Sequence, residues 1–286
     1  MHALPVFFSP LMVAASRSFS PSAEKPAAVV ASWQRLGVPL ALHAPIPVTP
    51  EQLALAHDAA FVRRVLAGAE DNGFGNRSPE IAAALPYTTG ALLSAARHAL
   101  HEGRVAVAPC SGFHHAGFGS AQGFCTFNGL MVTAAVLHTE GLRRIGILDF
   151  DHHYGNGTDQ IIAQLGAQAW VHHFSAGKTY DQPRHAPEFF ARLADILLPF
   201  ADCDVVLYQA GADPHLDDPL GGWLSTEQLR ERDARVFDFF QRTQVPLAWD
   251  LAGGYQRDTS GSIAPVLEIH DNTLRECARA YFGWVG

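Results

Sequence analysis

The sequence predicts an α/β fold in three layers, with an open, mostly parallel sheet flanked by helices on both faces. Short apolar runs alternate with helical stretches along most of the chain, which is typical of parallel sheets covered on both faces. No internal repeat, low-complexity segment or obvious linker interrupts this pattern. We therefore expect residues 1–286 to form a single domain, which the length of the chain permits.

The first hundred residues are predicted to supply two strands and five helices. Thr49 and Gln52 form a capping box with proline at the first helical position, so a helix starts there. Another helix follows Pro79, and Pro86 is expected to end it because proline lacks a backbone N–H. Glycine and asparagine at 71–77 indicate a surface loop. The other predicted elements are strands over 3–8 and 39–43 and helices over 22–36, 59–66 and 89–101.

From residue 105 onward, apolar runs predict buried strands, and amphipathic stretches between them predict helices. Ser225 and Gln228 form a second capping box, so a helix starts at residue 226. The predicted strands cover 105–108, 145–148, 170–173, 205–209 and 246–249, and the predicted helices cover 127–139, 158–165, 226–243 and 272–281.

Composition and charge limit the classes of function. The formal net charge is −8, and the 20 Lys and Arg residues form no cluster longer than a pair. Direct nucleic-acid binding relies on such side chains and is not expected, whereas a basic substrate would meet a favourable field. The sequence shows four cysteines without a Cys-x-x-Cys pair, no signal peptide and no apolar run near the ~18 residues of a membrane span. These features predict a cytoplasmic protein without membrane contact.

Unusual polar residues follow four of the predicted strands directly. The four segments are 111–115, 149–153, 211–213 and 250–255, which together carry His, Asp and Tyr side chains close to glycines. Ligands of open α/β sheets bind outside the carboxyl ends of the strands. The spacing therefore predicts that these four strand ends form one site.

The segment that follows the strand at 145–148 is difficult to explain by packing. Side chains alternate along an extended chain, so Asp149, Asp151 and His153 project to the same side. Two carboxylates on one side repel each other unless a positive group lies beside them. With Asp213, Asp151 and His153 form an oxygen–nitrogen–oxygen set that suits zinc or another divalent first-row metal, with one position open for water.

Five motifs occur in a fixed order along the chain. They are Gly-Phe-His-His-Ala at 112–116, Gly-Phe-Cys-x-Phe-Asn at 123–128, Asp-Phe-Asp-x-His-x-Gly-Asn-Gly at 149–157, Ala-Gly-Ala-Asp at 210–213 and Ala-Gly-Gly-Tyr at 252–255. This set resembles the histone deacetylase family, the zinc amidohydrolases of the arginase/deacetylase fold, over essentially the whole chain. Asn156, where many members have aspartate, is similar to the class IV branch and its bacterial relatives.

The resemblance implies a role for each matching position. One zinc ion per chain would be held by Asp151, His153 and Asp213, and the catalytic residues would be His114, His115 and Tyr255. In this family the two histidines handle protons, and the tyrosine donates a hydrogen bond to the developing oxyanion. Two further positions would support the histidines: Asp149 would orient His114, and Asn156 would lie beside His115. Substrate binding would involve Gly123, Phe124 and Leu220, with Phe124 as a wall of the substrate tunnel and Leu220 at its inner end.

Asn156 carries a mechanistic expectation of its own. A neutral amide stabilises a protonated His115 less than a carboxylate would, whereas His114 pairs with the anionic Asp149. We therefore expect His115 to stay neutral to lower pH and to act as the general base, with His114 as the charge-stabilising partner.

Some parts of the family pattern lack a clear match. Many members bind K⁺ beneath the zinc, partly through a Ser or Asp side chain after the next strand, but 170–175 shows no clear counterpart. The resemblance allows for potassium without requiring it. The loop at 71–77 has no secure counterpart of the rim aspartate that grips the substrate, and Asp217 and Asp218 are expected to be solvated.

The implied reaction is removal of an acyl group, acetyl or longer, from acyl-lysine in a peptide or protein by metal-activated water. Small acetylated amines such as acetylpolyamines are an alternative, because they present the same acylated amine on a methylene stem. A cysteine hydrolase using Cys125 would leave the acids unexplained, and an arginase-like dimanganese enzyme would need a carboxylate where Gly155 stands. A non-enzymatic binding module is the last alternative, and the presence of every catalytic residue counts against it.

Overall fold

The computed structural model describes residues 3–101 and 104–285, and a seven-stranded sheet lies at its centre. The strands are β1 (Leu4–Phe7), β2 (Leu40–His43), β3 (Val105–Ala108), β4 (Ile145–Asp149), β5 (Val171–Ser175), β6 (Val205–Gly211) and β7 (Leu247–Ala252). Their order across the sheet is β2-β1-β3-β7-β6-β4-β5, and every pair of neighbours runs parallel. The predicted α/β fold with a parallel sheet is confirmed.

Helices cover both faces of this sheet. They are α1 (Lys25–Arg35), α2 (Pro50–Leu53), α3 (Ala59–Leu66), α4 (Pro79–His101), α5 (Gly129–Thr139), α6 (Asn156–Leu165), α7 (Ala186–Leu197), α8 (Thr226–Thr243) and α9 (Ala264–Phe282). Single turns of 3₁₀ helix lie at Pro10–Met12, Ala167–Ala169, Ala176–Lys178, Pro183–His185 and Leu198–Phe200. None of the described helices combines the length and the apolar character needed to cross a bilayer.

Alternate residues of the central strands point into two separate hydrophobic cores. One core contains Leu148 and Tyr208 and is closed by α1, α7, α8 and α9. The other contains Ile147 and Leu207 and is closed by α2 to α6. Because successive strand side chains face opposite ways, both faces of the sheet are buried, and this produces the three predicted layers.

The structure corrects the prediction that Pro86 separates two helices, because α4 continues through this residue. The carbonyl of Pro86 accepts a hydrogen bond from the N–H of Val48 at 3.0 Å. Four residues later, Gly90 lies so close to the chain that an added Cβ would be 2.1 Å from the carbonyl oxygen of Ile46. Tertiary packing of the 46–48 segment against α4 thus outweighs the local cost of an internal proline.

Other differences concern the ends of elements. Helix α9 begins at Ala264 rather than at residue 272, and α7 occupies a stretch for which the sequence pattern predicts no helix. Strands β6 and β7 continue to Gly211 and Ala252, beyond the predicted ends at 209 and 249. Their ladder pairs Gln209 with Asp250 and Gly211 with Ala252, so residues expected at corners are still strand residues.

Candidate active site

The carboxyl ends of β3, β7, β6 and β4 are neighbours in the sheet, and the segments that follow them meet there. The register places Ala108 beside Asp250, Asp250 beside Gln209, and Gln209 beside Asp149. The chain leaves each of these positions in the same direction because the strands are parallel. The residues expected to share a site are therefore carried to one edge of the sheet.

Asp151, His153 and Asp213 form the centre of this site, and each offers a ligand atom within 4.8 Å of the others. Nδ1 of His153 lies 3.2 Å from Oδ1 of Asp151 and 3.0 Å from Oδ2 of Asp213. Nε2 of the same ring donates to the carbonyl oxygen of Leu220 at 3.1 Å. A carbonyl only accepts, so Nε2 carries a proton, and Nδ1 is the nitrogen that would coordinate a metal once it has lost its own proton.

The two buried carboxylates of this group are stabilised by a neighbouring positive charge. Burial lowers the pKa of His153, but hydrogen bonds to Asp151 and Asp213 and the charges of both outweigh it and raise this pKa to about 11. Burial and the negative charge of Asp151 raise the pKa of Asp213. The two buried carboxylates are thus balanced by a proton on His153, in the place where a divalent cation would balance them better. The donor set fits a metal ion of the zinc type.

His114 lies against the first carboxylate of this segment. Its Nδ1–H donates to Oδ2 of Asp149 at 2.8 Å, and its Nε2 lies 3.6 Å from Oδ1 of Asp151. Asp149 is fully buried and also accepts the side-chain N–H of Gln209 at 2.9 Å and the backbone N–H of Asp151 at 3.1 Å. Asp149 thus binds and orients His114 and lies outside the three-residue centre.

His115 has a different partner. Its Nδ1–H donates to Oδ1 of Asn156 at 2.6 Å, which leaves Nε2 as a free acceptor. The ring centroid of His115 lies 4.1 Å from that of His114 and 5.9 Å from that of His153. Both tandem histidines therefore border the candidate metal position, with one supported by a carboxylate and the other by an amide.

The two histidines differ in basicity in the predicted direction. Burial lowers the pKa of His114, but the negative charges of Asp149 and Asp151 outweigh it and raise this pKa to about 9. Burial and the positive charge of His114 lower the pKa of His115, and the hydrogen bond to Asn156 offsets only part of this effect. His115 is therefore the ring that is neutral, with an available lone pair, near pH 7.

Tyr255 closes the site from the end of β7. Burial and the negative charges of Asp213 and Asp151 raise the pKa of its hydroxyl, which therefore stays protonated and can donate. The ring lies 5.8 Å from that of Phe124 and is stacked on Phe19 at 6.0 Å. A Cβ added to Gly253 would lie 2.1 Å from Cγ of Asp213, so the chain before the tyrosine passes directly over this carboxylate.

The residues expected at a substrate tunnel lie beside this centre. Gly123 and Phe124 both have positive φ, 56° and 63°, and the two form a tight turn against His115. Phe124 is half-buried between Tyr255 and Phe74, whose ring centroid is 6.1 Å away. Leu220 is 40% exposed, and its backbone carbonyl contacts His153, so its place in a substrate tunnel stays a prediction.

Several residues of the site carry no clear sequence signal. Asp218 was expected to be solvated but is buried, and its carboxylate accepts backbone N–H groups of Leu220 and Tyr255. Lys25 is fully buried, donates to the carbonyl oxygen of Gly253, and has its pKa lowered to about 8 by burial. A buried charge on a helix and a carboxylate in a loop both resemble surface residues when only the sequence is known.

The remaining expectations near the site have mixed outcomes. Nδ1 of His152 accepts the N–H of Gly222 at 3.3 Å. Asp217 is solvated, as expected, with 84% of its side chain exposed. Ser175, the last residue of β5, pairs with Asp149 in the sheet.

Comparison with known sequences identifies one family. Residues 21–185, more than half of the chain, match the histone deacetylase domain. An uncharacterized protein of Picosynechococcus sp. is 30% identical over 186 residues, which cover 59% of this chain and 62% of that protein. Histone deacetylase 5 of Arabidopsis thaliana is 30% identical over 206 residues, covering 59% of this chain and 31% of the plant protein. The chain thus spans less than two thirds of the length of these curated relatives.

Comparison with solved structures extends the likeness to nearly all of the chain. The crystal structure of the HDA15 HD domain gives a TM-score of 0.77 at 19% identity, covering 99% of this chain and 90% of that one. The acetylpolyamine aminohydrolase from Burkholderia pseudomallei gives a TM-score of 0.72 at 18% identity, covering 96% of this chain and 99% of that one. At these identities the likeness establishes a shared fold, which includes the region after residue 185 that holds Asp213 and Tyr255.

Proposed function

Because the chain belongs to the histone deacetylase family, we propose that it is a zinc-dependent amidohydrolase that removes an acyl group from the amine of acyl-lysine. The acyl group would be acetyl or longer, and residues 1–286 would act as one catalytic domain. The observation that carries the proposal is the pairing of two buried carboxylates with Nδ1 of His153, directly beside the two tandem histidines.

Asp151, His153 and Asp213 are the residues proposed to hold the zinc ion, one per chain. When bound, zinc polarises a carbonyl oxygen and lowers the pKa of a bound water to about 7. Ser175 and Asp149, adjacent in β5 and β4, are the residues around which we would look for the potassium ion of the family. A potassium ion is not needed for the roles proposed below.

Proton transfer is assigned to His115. Its Nδ1–H is held by Asn156, so its Nε2 can take a proton from the attacking water and later return it to the leaving amine. His114, with its raised pKa, supplies positive charge at the same edge of the site and is kept in place by Asp149. Tyr255 would donate its hydroxyl proton in a hydrogen bond to the oxyanion, worth roughly 3 kcal/mol.

Two rival mechanisms fit the structure less well. Burial raises the pKa of the Cys125 thiol, so the thiolate needed for a cysteine hydrolase is disfavoured. A second metal of the arginase type needs a carboxylate in place of Gly155. A Cβ at that position would lie 2.6 Å from Oδ2 of Asp149, which leaves no space for such a side chain.

Small acetylated amines are the second candidate substrates. The net charge of −8 favours cationic molecules in general. The fold neighbour from Burkholderia pseudomallei is an acetylpolyamine aminohydrolase, although the low identity transfers no activity. The two candidates share the same bond cleavage and differ in what surrounds the acylated amine.

The test is hydrolysis of matched substrates by protein that has been stripped with a chelator and reloaded with zinc. One panel carries acetyl to long acyl chains on a lysine peptide, and the other consists of free acetylated diamines and polyamines. We expect activity that is lost with chelator, restored by zinc and abolished in Asp213→Asn. Inactivity on every substrate with zinc supplied would refute the enzymatic proposal.

A further inference from the structure

The carboxylate of Asp218 links two parts of the site that are distant in sequence. Its Oδ2 accepts the backbone N–H of Tyr255 at 2.8 Å, and its Oδ1 accepts the backbone N–H of Leu220 at 3.0 Å. The residue is only 5% exposed, so water does not compete freely for these bonds. Asp217, the adjacent acid, is exposed and makes neither contact.

The Leu220 side of this link leads to the metal-binding imidazole. The N–H of Leu220 binds Asp218, and the carbonyl of Leu220 accepts the Nε2–H of His153 at 3.1 Å. A short chain of hydrogen bonds thus runs from the carboxylate through one residue to the ring whose Nδ1 faces Asp151 and Asp213. The position of His153 is therefore tied to that of Asp218.

The Tyr255 side of the link fixes a backbone that would otherwise move easily. Gly253 and Gly254 have φ values of 50° and 89°, and glycine has no side chain to restrict such a segment. Lys25 holds the carbonyl of Gly253, and Asp218 holds the N–H of Tyr255. These two contacts determine where the tyrosine ring leaves the backbone, and hence where its hydroxyl lies.

We propose that Asp218 is a positioning residue that sets the distance between the Tyr255 hydroxyl and the metal-binding imidazole of His153. The inference rests on the proposed function, because it assigns Tyr255 to the oxyanion. Asp218 itself touches no reacting atom. Its carboxylate accepts one backbone hydrogen bond from the loop at 214–224 and one from the segment at 253–255, and so fixes the position of one segment relative to the other.

The kinetic test is a double-mutant cycle of Asp218→Asn and Tyr255→Phe. An amide oxygen can replace only one of the two acceptors, and its NH₂ group then faces the other N–H as a second donor. We expect Asp218→Asn to lower kcat by roughly 10- to 100-fold with KM within about threefold, because the oxyanion contact forms in the transition state. In the Tyr255→Phe background the same change should cost less than about threefold. Asp217→Asn removes the same charge and should match the wild type.

A spectroscopic test reads the contact without relying on activity. The chain has six tyrosines, so ¹⁵N-tyrosine labelling gives a simple amide spectrum in which Tyr255→Phe identifies the Tyr255 signal. We expect Asp218→Asn to move this amide proton upfield, because the hydrogen bond to a charged acceptor is lost, while Asp217→Asn leaves it in place. An unmoved Tyr255 amide, or a full multiplicative loss of kcat in the cycle, overturns the proposal.

The two tests distinguish failure of the proposed function from failure of the role assigned to Asp218. If the wild-type protein hydrolyses no substrate, the proposed function fails, and the amide signal still decides whether Asp218 holds Tyr255. If Asp218→Asn does not fold, Asp218→Glu keeps the charge but displaces the carboxylate by one methylene. That variant should show the same kcat loss and a shifted Tyr255 amide, and wild-type values for both would overturn the inference.

Discussion

Replacing Asn156 by aspartate gives the sharpest test of which histidine is the base. The new carboxylate would face Nδ1 of His115, where the present oxygen lies at 2.6 Å. Asn156 is also the first residue of α6, and the positive end of a helix favours an ionised carboxylate there. The variant therefore adds one negative charge beside His115 with little change in shape.

The size of the effect follows from this geometry. Because the imidazolium charge is spread over the ring, the effective charge separation is about 4 Å, which gives about 4 kcal/mol at an effective dielectric constant of about 20. Desolvation of the new carboxylate and screening remove part of this energy. A residual of only ~1.4 kcal/mol would still move a titration by one pH unit. We therefore expect the acid limb of kcat/KM to move up by at least about one pH unit.

The sign is fixed by the role of the base. A carboxylate favours the protonated form of His115, so its pKa rises, and the neutral ring needed for catalysis appears only at higher pH. The assay is the pH profile of kcat/KM for the zinc-loaded wild type and for Asn156→Asp. Asn156→Ala is the matched control, because it removes an acceptor that favours the protonated ring and should move the limb to lower pH. An acid limb that stays at the wild-type pH in Asn156→Asp would refute the assignment of His115 as the base.

Three further predictions follow from the same site. Zinc binding near pH 7 should release at least about one proton, because the pKa of His153 in the metal-free site is raised to about 11. Calorimetry in buffers of different ionisation enthalpy measures this release, and a value near zero contradicts the prediction. Gly253→Ala should abolish zinc-supported activity, because its Cβ would lie 2.1 Å from Cγ of Asp213. The control is Gly261→Ala, which also has positive φ but has nothing within 4 Å of the added Cβ. This control should stay active and lose only about 1 kcal/mol of stability in chemical unfolding. Cys125→Ser should retain most of the activity, and its inactivation in a correctly folded, zinc-loaded variant would favour a cysteine mechanism.

The sheet and the central residues of the site were predictable because both depend on local sequence. An apolar run such as 145–148 can be stable only as a buried strand or helix segment, and its short length and polar end favour the strand. Parallel strands then bring all their carboxyl ends to one edge. That Asp151 and His153 would meet Asp213 could therefore be predicted without any knowledge of distances.

The burial of individual charged residues was not predictable in the same way. Asp217 and Asp218 are adjacent and identical in type, yet one side chain is exposed and the other accepts two backbone N–H groups. Irregular loops have no periodicity from which the direction of a side chain could be derived. Lys25 likewise occupies the first turn of a helix, and only the packing of α1 shows that its ammonium group lies under Gly253.

The glycines around the site show why its motifs are so restrictive. Gly155 has an ordinary φ of −69°, so backbone conformation does not require glycine at this position. Space does, because a Cβ there would lie 2.6 Å from Oδ2 of Asp149, the oxygen that accepts the Nδ1–H of His114. At Gly157 a Cβ would lie 2.4 Å from the carbonyl oxygen of Ala116, next to the tandem histidines. Any side chain at either glycine would push apart the segments that carry Asp149 and the tandem histidines, so these two glycines are needed for close packing and not for flexibility.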